Sequence, residues 1–220
     1  KEKPNFKLTA KSLKLKATWV TVDPGPLRDD PFNRFIHFVL SLSNGKHLVL
    51  SDMRKFAKVT LLEISVLKTE FAKTGPEPLD KSFKLKAFSF QLNKRPKGKI
   101  KQVLMDQSII AGIGNIYSDE ILWASGIHPL SRVEKLRNGD LEKLWENTKE
   151  ILEKGIKFGG DSMSDYRDIT GRKGKFQLEH QAYRRTGKLC QKKSCEGKIE
   201  RIIIGGRSAH FCDKHQILYA

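Results

Sequence analysis

The sequence predicts an α+β chain in three parts: an antiparallel β region, a helical middle and a small C-terminal hairpin stapled by a metal ion. Three patterns carry this expectation. An Asn44-Gly45 pair separates two β-rich runs, one long amphipathic stripe marks a helix near residue 150, and the three cysteines fall with His215 into two ligand pairs near the end.

The β region is read first. Residues 34–42 alternate partly between apolar and polar, Ser43-Asn44-Gly45-Lys46 turns, and residues 47–50 return. Asn-Gly between such runs favours a type I′ turn, in which both central residues take positive φ. After the charged link Asp52-Met53-Arg54-Lys55-Phe56, a third strand is expected over roughly 57–62. Gly75-Pro76-Glu77-Pro78 breaks regular structure and is a plausible domain boundary.

Residues 83–92 are ambiguous, because Phe88, Phe90 and Leu92 alternate as in a strand while the lysine spacing permits a helix. From Lys99 the pattern turns helical. The best helix is 140–158, where Leu141, Leu144, Trp145, Thr148, Ile151, Leu152 and Ile156 form one stripe and Gly159-Gly160 ends it. Ser131-Arg132-Val133-Glu134 fits a capping box at the start of a shorter helix. Residues 161–174 read as a mobile polar loop. The division expected is 1–78, 79–180 and 181–220.

Composition narrows the partner. With 42 Lys and Arg against 25 Asp and Glu, the formal net charge is +17 over 220 residues. Such an excess points to a polyanion, and phosphate backbones are the usual one. A generally basic protein, such as a ribosomal component, has the same composition. No apolar run reaches the length of a membrane span and the start lacks a signal-peptide core, so a soluble, cytoplasmic, monomeric protein without a membrane partner is expected. An odd number of cysteines in a chain of this kind argues against a disulfide framework.

The cysteines suggest metal instead. Cys190-x4-Cys195 and Cys212-x2-His215 form two pairs separated by sixteen residues, which suits one tetrahedral, structural zinc ion. Residues 197–204 and 208–211 can form a hairpin turned at Gly205-Gly206, a zinc-ribbon layout. His210 is a rival fourth ligand, but His215 keeps the two-residue spacing from Cys212. Unliganded reduced cysteines beside an unrelated histidine are the bland alternative. From Ala182 onward nine cations face three acids, and Arg207 beside the two turn glycines could reach a phosphate.

Residues 101–129 read as a helix, a tight Ala111-Gly112-Ile113-Gly114 turn and a second helix from Asn115 to Ser125. Asn115 is an N-cap type, and free amides at a helix start make a phosphate site. A plain helical hairpin fits the same periodicity.

Taken together, these segments resemble the formamidopyrimidine-DNA glycosylase and endonuclease VIII family. Asp106-Gln107-Ser108 through Gly114-Asn115-Ile116-Tyr117 and Glu120 is similar to its helix–two-turn–helix motif. Arg185-Thr186-Gly187-Lys188-x-Cys190 through Gly206-Arg207 and Cys212 is similar to its zinc finger, and residues 51–56 to the strand link of its β-sandwich. The resemblance implies an antiparallel β-sandwich remnant, a helix–two-turn–helix domain and a C-terminal zinc-ribbon hairpin. It implies Lys101, Asn115 and Arg207 on phosphates of damaged double-stranded DNA, with Arg54 and Phe56 entering the duplex where a base has been extruded. Residues 161–174 correspond to a segment that closes over the flipped lesion.

Two departures stand out. The finger carries Cys-x4-Cys and Cys-x2-His where the family has four cysteines in tighter pairs. The chain begins Lys1-Glu2-Lys3-Pro4, whereas the family begins with Pro-Glu, whose amine attacks the sugar to form a Schiff base. The expectation is therefore a base-excision glycosylase and abasic-site lyase for oxidised purines such as 8-oxoguanine and formamidopyrimidines. Several tens of N-terminal residues, including the nucleophile, are expected to be missing, so the chain as given is expected to be inactive and no catalytic residue is assigned. The alternatives are a non-catalytic damaged-DNA-binding module, an endonuclease VIII-type enzyme for oxidised pyrimidines, and a zinc-ribbon RNA binder.

Overall fold

A computed structural model of the chain describes residues 24–163 and 166–220. The Lys-rich opening and the Lys1-Glu2 start lie outside them. Two compact units emerge, one of the described residues up to Val59 with Ile169–Arg172, the other of Thr60–Asp168 with Lys173–Ala220.

In the first unit, β1 (Ile36–Ser41) pairs antiparallel with β2 (His47–Ser51). The hairpin lies where expected, but its turn is not type I′. Gly45 has φ +79° while Asn44 keeps negative φ. The Gly45 N–H donates to the Leu42 carbonyl and the Leu42 N–H to the Lys46 carbonyl, so a three-residue loop closes it. The expected third strand is also absent, since residues 57–62 have no regular structure. The Asp52 carboxylate accepts from the N–H of Arg54 at 2.9 Å and of Ala57 at 2.7 Å, which turns the chain away from the sheet.

The second unit begins with α1 (Ile64–Phe71) and α2 (Leu85–Leu92). The ambiguous run at 83–92 is thus a helix, with Phe88 and Leu92, four residues apart, fully buried. It continues with α3 (Ile100–Met105), α4 (Asn115–Ser125) and α5 (Asn138–Lys157). The core gathers Leu104, Ile110, Ile113, Ile121, Leu122 and Leu144, all at 0% exposure. At about 1.5–3 kcal/mol for each such side chain, this burial is the main stabilising force on the helices. Trp145 closes one end, edge-on to Phe83 at 5.6 Å.

The expected capping box at Ser131 is not formed. Its hydroxyl accepts the Tyr219 N–H at 3.0 Å and donates to the Ile217 carbonyl, tying the C-terminal tail to the helical core. Only a short 3-10 turn, Val133–Lys135, follows it. Gly159 and Gly160, at φ +70° and +85°, end α5 as anticipated.

The last element is the hairpin of β3 (Ile199–Ile204) and β4 (Arg207–Cys212). Gly205 and Gly206 both have positive φ, +55° and +75°, the requirement of a tight two-residue turn. No described helix is long and apolar enough to cross a membrane.

Candidate nucleic-acid interface and metal centre

The turn between α3 and α4 is held from within. Gln107 spans it with its side chain, Oε1 accepting the Gly112 N–H at 2.9 Å and Nε2 donating to the Ile113 carbonyl at 2.9 Å. Gly75 donates to the Gln107 carbonyl, and a Cβ on Gly75 would lie 2.5 Å from the Ile109 backbone. The Gly-Pro break at 75–76 is therefore a docking strand beneath the turn.

Gly114 is the N-cap of α4 and Asn115 its first residue, correcting the expected N-cap role of Asn115. No side chain caps this end, and the first backbone bond of the helix runs from the Ser118 N–H to the Gly114 carbonyl. Among the described residues, the amides of Asn115, Ile116 and Tyr117 consequently have no acceptor. The Asn115 Oδ1 is buried without a hydrogen-bond partner. Such a start offers several convergent donors to an anion, aligned with the positive end of the helix dipole.

Lys101 is placed differently from the expectation. It is 1% exposed, with Nζ 2.5 Å from Asp119 Oδ1, 3.1 Å from Ser118 Oγ and 3.4 Å from the Asn115 carbonyl. Three protein acceptors take its three protons, so it braces the start of α4 from below and does not present its ammonium to a phosphate. Burial pulls the ammonium below its ordinary range, against the attraction of Asp119.

Arg207 is exposed on the hairpin tip and makes no ion pair among the described residues. The tip packs on α3, where a Cβ on Gly205 would lie 2.4 Å from Gln102 Nε2. In the first unit, Arg54 stacks its guanidinium 4.8 Å from the Phe56 ring centre, and Phe56 is 74% exposed. Lys55 between them has φ +57°, held by the Asp52 bonds already described. Chiefly because of the Ala57 N–H, Asp52 titrates below its ordinary 3.8. Its ordering of this turn is then complete above that value and is lost as pH falls through the lower folded value. An NMR titration should find the Asp52 carboxyl midpoint below 3.8, and a midpoint at or above 3.8 would contradict the turn geometry.

Cys190, Cys195, Cys212 and His215 are placed to bind a metal ion, with their ligand atoms all within 4.8 Å of one another. Cys190 Sγ is 3.3 Å and Cys195 Sγ 3.9 Å from His215 Nδ1, and the Cys195 and Cys212 sulfurs are 3.6 Å apart. The outer ring nitrogen of His215 is 2.9 Å from the Trp123 carbonyl, which fixes the ring and leaves Nδ1 as the ligand atom. The N–H groups of Lys192, Gly197 and Lys214 donate to the three sulfurs at 3.4–3.5 Å. The rival, His210, lies outside the cluster and bonds to Asp119 at 2.9 Å.

A cavity of about 500 Å³ opens beside the turn, lined among others by Glu77, Ala111, Gly112, Tyr117, Gly155 and Tyr166. Sequence reasoning missed it. The available signal was Gly155 inside α5, where glycine costs about 1 kcal/mol relative to alanine. A Cβ there would lie 2.6 Å from the Tyr117 hydroxyl. Burial raises the Tyr117 pKa, so its hydroxyl stays protonated as a donor. Gly155→Ala should push Tyr117 into the cavity and destabilise by about 1–3 kcal/mol through overpacking. Urea unfolding checks this, and a variant as stable as the parent would contradict it.

With this geometry in place, the class of the fold is defined by its turn. Residues 74–167 match the family model described as the formamidopyrimidine-DNA glycosylase H2TH domain. The formamidopyrimidine-DNA glycosylase of Herpetosiphon aurantiacus is 40% identical over 184 residues, covering 84% of this chain and 66% of that protein. The Streptococcus pyogenes enzyme of the same name is 40% identical over 188 residues, 84% of this chain and 67% of its own length. The solved complex of Lactococcus lactis Fpg with DNA containing an abasic site aligns with TM-score 0.75 at 37% identity, over 86% of this chain and 68% of that one. A MutM complex with DNA containing carbocyclic 8-oxo-G aligns at TM-score 0.73 and 37% identity, with the same coverage. The chain belongs to the formamidopyrimidine-DNA glycosylase family. It spans about two thirds of the length of the curated relatives it matches.

Proposed function

We propose that the chain is a base-excision DNA glycosylase with abasic-site lyase activity on oxidised purines, and that the part described here supplies the grip on damaged DNA and the pocket for the extruded base. The observation that carries this reading is the uncapped start of α4, with its unpartnered Asn115 carboxamide, beside a cavity of about 500 Å³. Phosphate on the amides and base in the cavity is the arrangement an enzyme needs to hold a nucleotide out of the stack. Solved relatives carry DNA with an abasic site, Fapy-dG or carbocyclic 8-oxo-G.

In this reading Asn115 and Arg207 contact phosphates, and Arg54 and Phe56 fill the space left by the flipped base. Lys101 acts by supporting Asn115. The β1–β2 hairpin belongs to a β-sandwich, and the chain divides at 1–78, 79–180 and 181–220. The finger holds one structural zinc ion. Tetrahedral zinc at about 2.3 Å from sulfur and about 2.0 Å from nitrogen puts its ligand atoms about 3.5–3.8 Å apart, close to three of the six separations here, at 3.3–3.9 Å, in a set that lies within 4.8 Å. Four protein ligands leave no position for substrate, so the ion organises the hairpin and takes no part in bond breaking.

Arg207→Ala should weaken duplex binding and reduce the slope of log K against log salt by about 0.9, the loss of one neutralised phosphate. Asn115→Ala, which removes no charge, should weaken binding across sequences with little change of slope. Unchanged affinity in both would remove them from the interface. The reaction itself is tested by incision of a duplex carrying one 8-oxoguanine, with borohydride trapping on an abasic duplex. Incision with a trapped adduct supports the enzyme. Tight abasic-site binding without either would leave a damaged-DNA-binding module.

A further inference from the structure

Asp119 is a charged residue on α4 with 0% exposure, and its carboxylate is shared between three elements. Oδ1 accepts from Lys101 Nζ of α3 at 2.5 Å, while Oδ2 accepts from both the backbone N–H of His210 at 3.0 Å and its Nδ1 at 2.9 Å. His210 belongs to β4, is 5% exposed and meets the Tyr183 ring edge-on at 5.0 Å.

We propose that Asp119 is a positioning residue that locks the finger strand β4 to the helical turn and thereby sets where Arg207 meets the DNA. The argument rests on the assignment of Arg207 to a phosphate made above. The β3–β4 hairpin meets the helices at two points set apart along its length. At its inner end His210 is clamped on Asp119, and at the tip Gly205 abuts Gln102, the residue after Lys101. Arg207 lies between them, three residues from the clamp. The metal centre is itself docked on α4 through Trp123, but Cys212 and His215 lie on the far side of the clamp, so the tilt of the tip beyond it is left to the contacts at Asp119 and Gln102. A buried ion pair is costly to desolvate, but its bonds are directional where apolar packing is not. The same Lys101 also touches the Asn115 carbonyl, so one network references both DNA-facing residues to a common point.

The test measures salt-dependent binding of the zinc-loaded chain to a duplex with one abasic site. Asp119→Asn leaves Lys101 without its charge partner and can fail to fold, so the informative variant is Lys101→Met combined with Asp119→Leu, which replaces the ion pair with apolar groups of similar size and strands only the two His210 donors. That variant should fold, retain one zinc per chain, and show the same loss of slope, about 0.9, as Arg207→Ala. Adding Arg207→Ala to it should change nothing further. A parental slope in the folded variant, with the full Arg207 decrement still to be lost, would overturn the positioning role. If Arg207→Ala alone leaves the parental slope unchanged, Arg207 is not a phosphate contact, and that assignment fails with the proposal built on it.

Discussion

Removing zinc from the C-terminal module should unfold the β3–β4 hairpin while the helical core remains. The hairpin's own apolar cluster is small, with Ala182, Cys190, Ile199 and Cys212 as its buried members, and two of those four are ligands. Metal binding in such modules contributes apparent free energies of about 10–16 kcal/mol, more than the about 5–9 kcal/mol from burying Ile199, Ile204 and Phe211. The helices keep a core of their own. Their sixteen-residue core is apolar and draws no member from the finger. Trp123 is the natural reporter, since its indole N–H is 3.3 Å from Cys190 Sγ and its ring lies edge-on to His215 at 5.5 Å. Chelation should release one zinc per chain, shift Trp123 emission and abolish amide protection in β3 and β4, with α2–α5 amides still protected. Hairpin amides that stay protected after the metal has left would contradict a zinc-dependent finger.

The second large effect is expected at Glu120. Its carboxylate is 1% exposed and accepts three consecutive backbone N–H groups, those of Gln181 at 2.8 Å, Ala182 at 3.1 Å and Tyr183 at 2.8 Å. These residues lead into the finger, so a single side chain anchors that entry to α4. Burial raises the Glu120 pKa despite the three donors. Stability from this group is therefore greatest below its unfolded value near 4.5 and declines as pH rises through the higher folded value. Glu120→Ala leaves three donors without their acceptor, one buried and two part-buried, at about 1–3 kcal/mol for each donor kept from water, so a loss on the order of 4 kcal/mol is expected. Glu120→Gln keeps one carbonyl for the pair bonded at Oε1 and should lose less than half as much. Denaturant unfolding separates these outcomes, and an alanine variant within about 1 kcal/mol of the parent would show that water replaces the carboxylate.

Residues 119 and 120 also mark where the sequence stops being legible. Adjacent acids in a helix read as solvated surface, and nothing local says otherwise. Their partners are 61–63 residues away for Glu120 and 91 for His210, so burial is decided by tertiary packing that short-range patterns do not encode. Lys101, buried against Asp119 eighteen residues along the chain, is a further case. The elements that could be read, by contrast, carry local signals. The α5 stripe, the Gly159-Gly160 stop, the Gly205-Gly206 turn and the ligand spacings each need only a few neighbouring residues. The third strand failed because β propensity at 57–62 cannot supply a partner strand, and the Asp52 bonds direct the chain elsewhere. The cavity left a single trace, a glycine within a helix.

The central claim is that the start of α4 and the adjacent cavity grip a duplex at a site where a base is out of the stack. The measurement that tests it most directly is competition between an abasic-site duplex and the identical undamaged duplex for the zinc-loaded chain at fixed salt. An abasic site spares the unstacking energy of a few kcal/mol, so it should bind at least about tenfold tighter, a difference of about 1.4 kcal/mol, and Asn115→Ala should weaken binding to both. Equal affinity for the two duplexes, unaltered by Asn115→Ala, would mean that the chain binds DNA by charge alone.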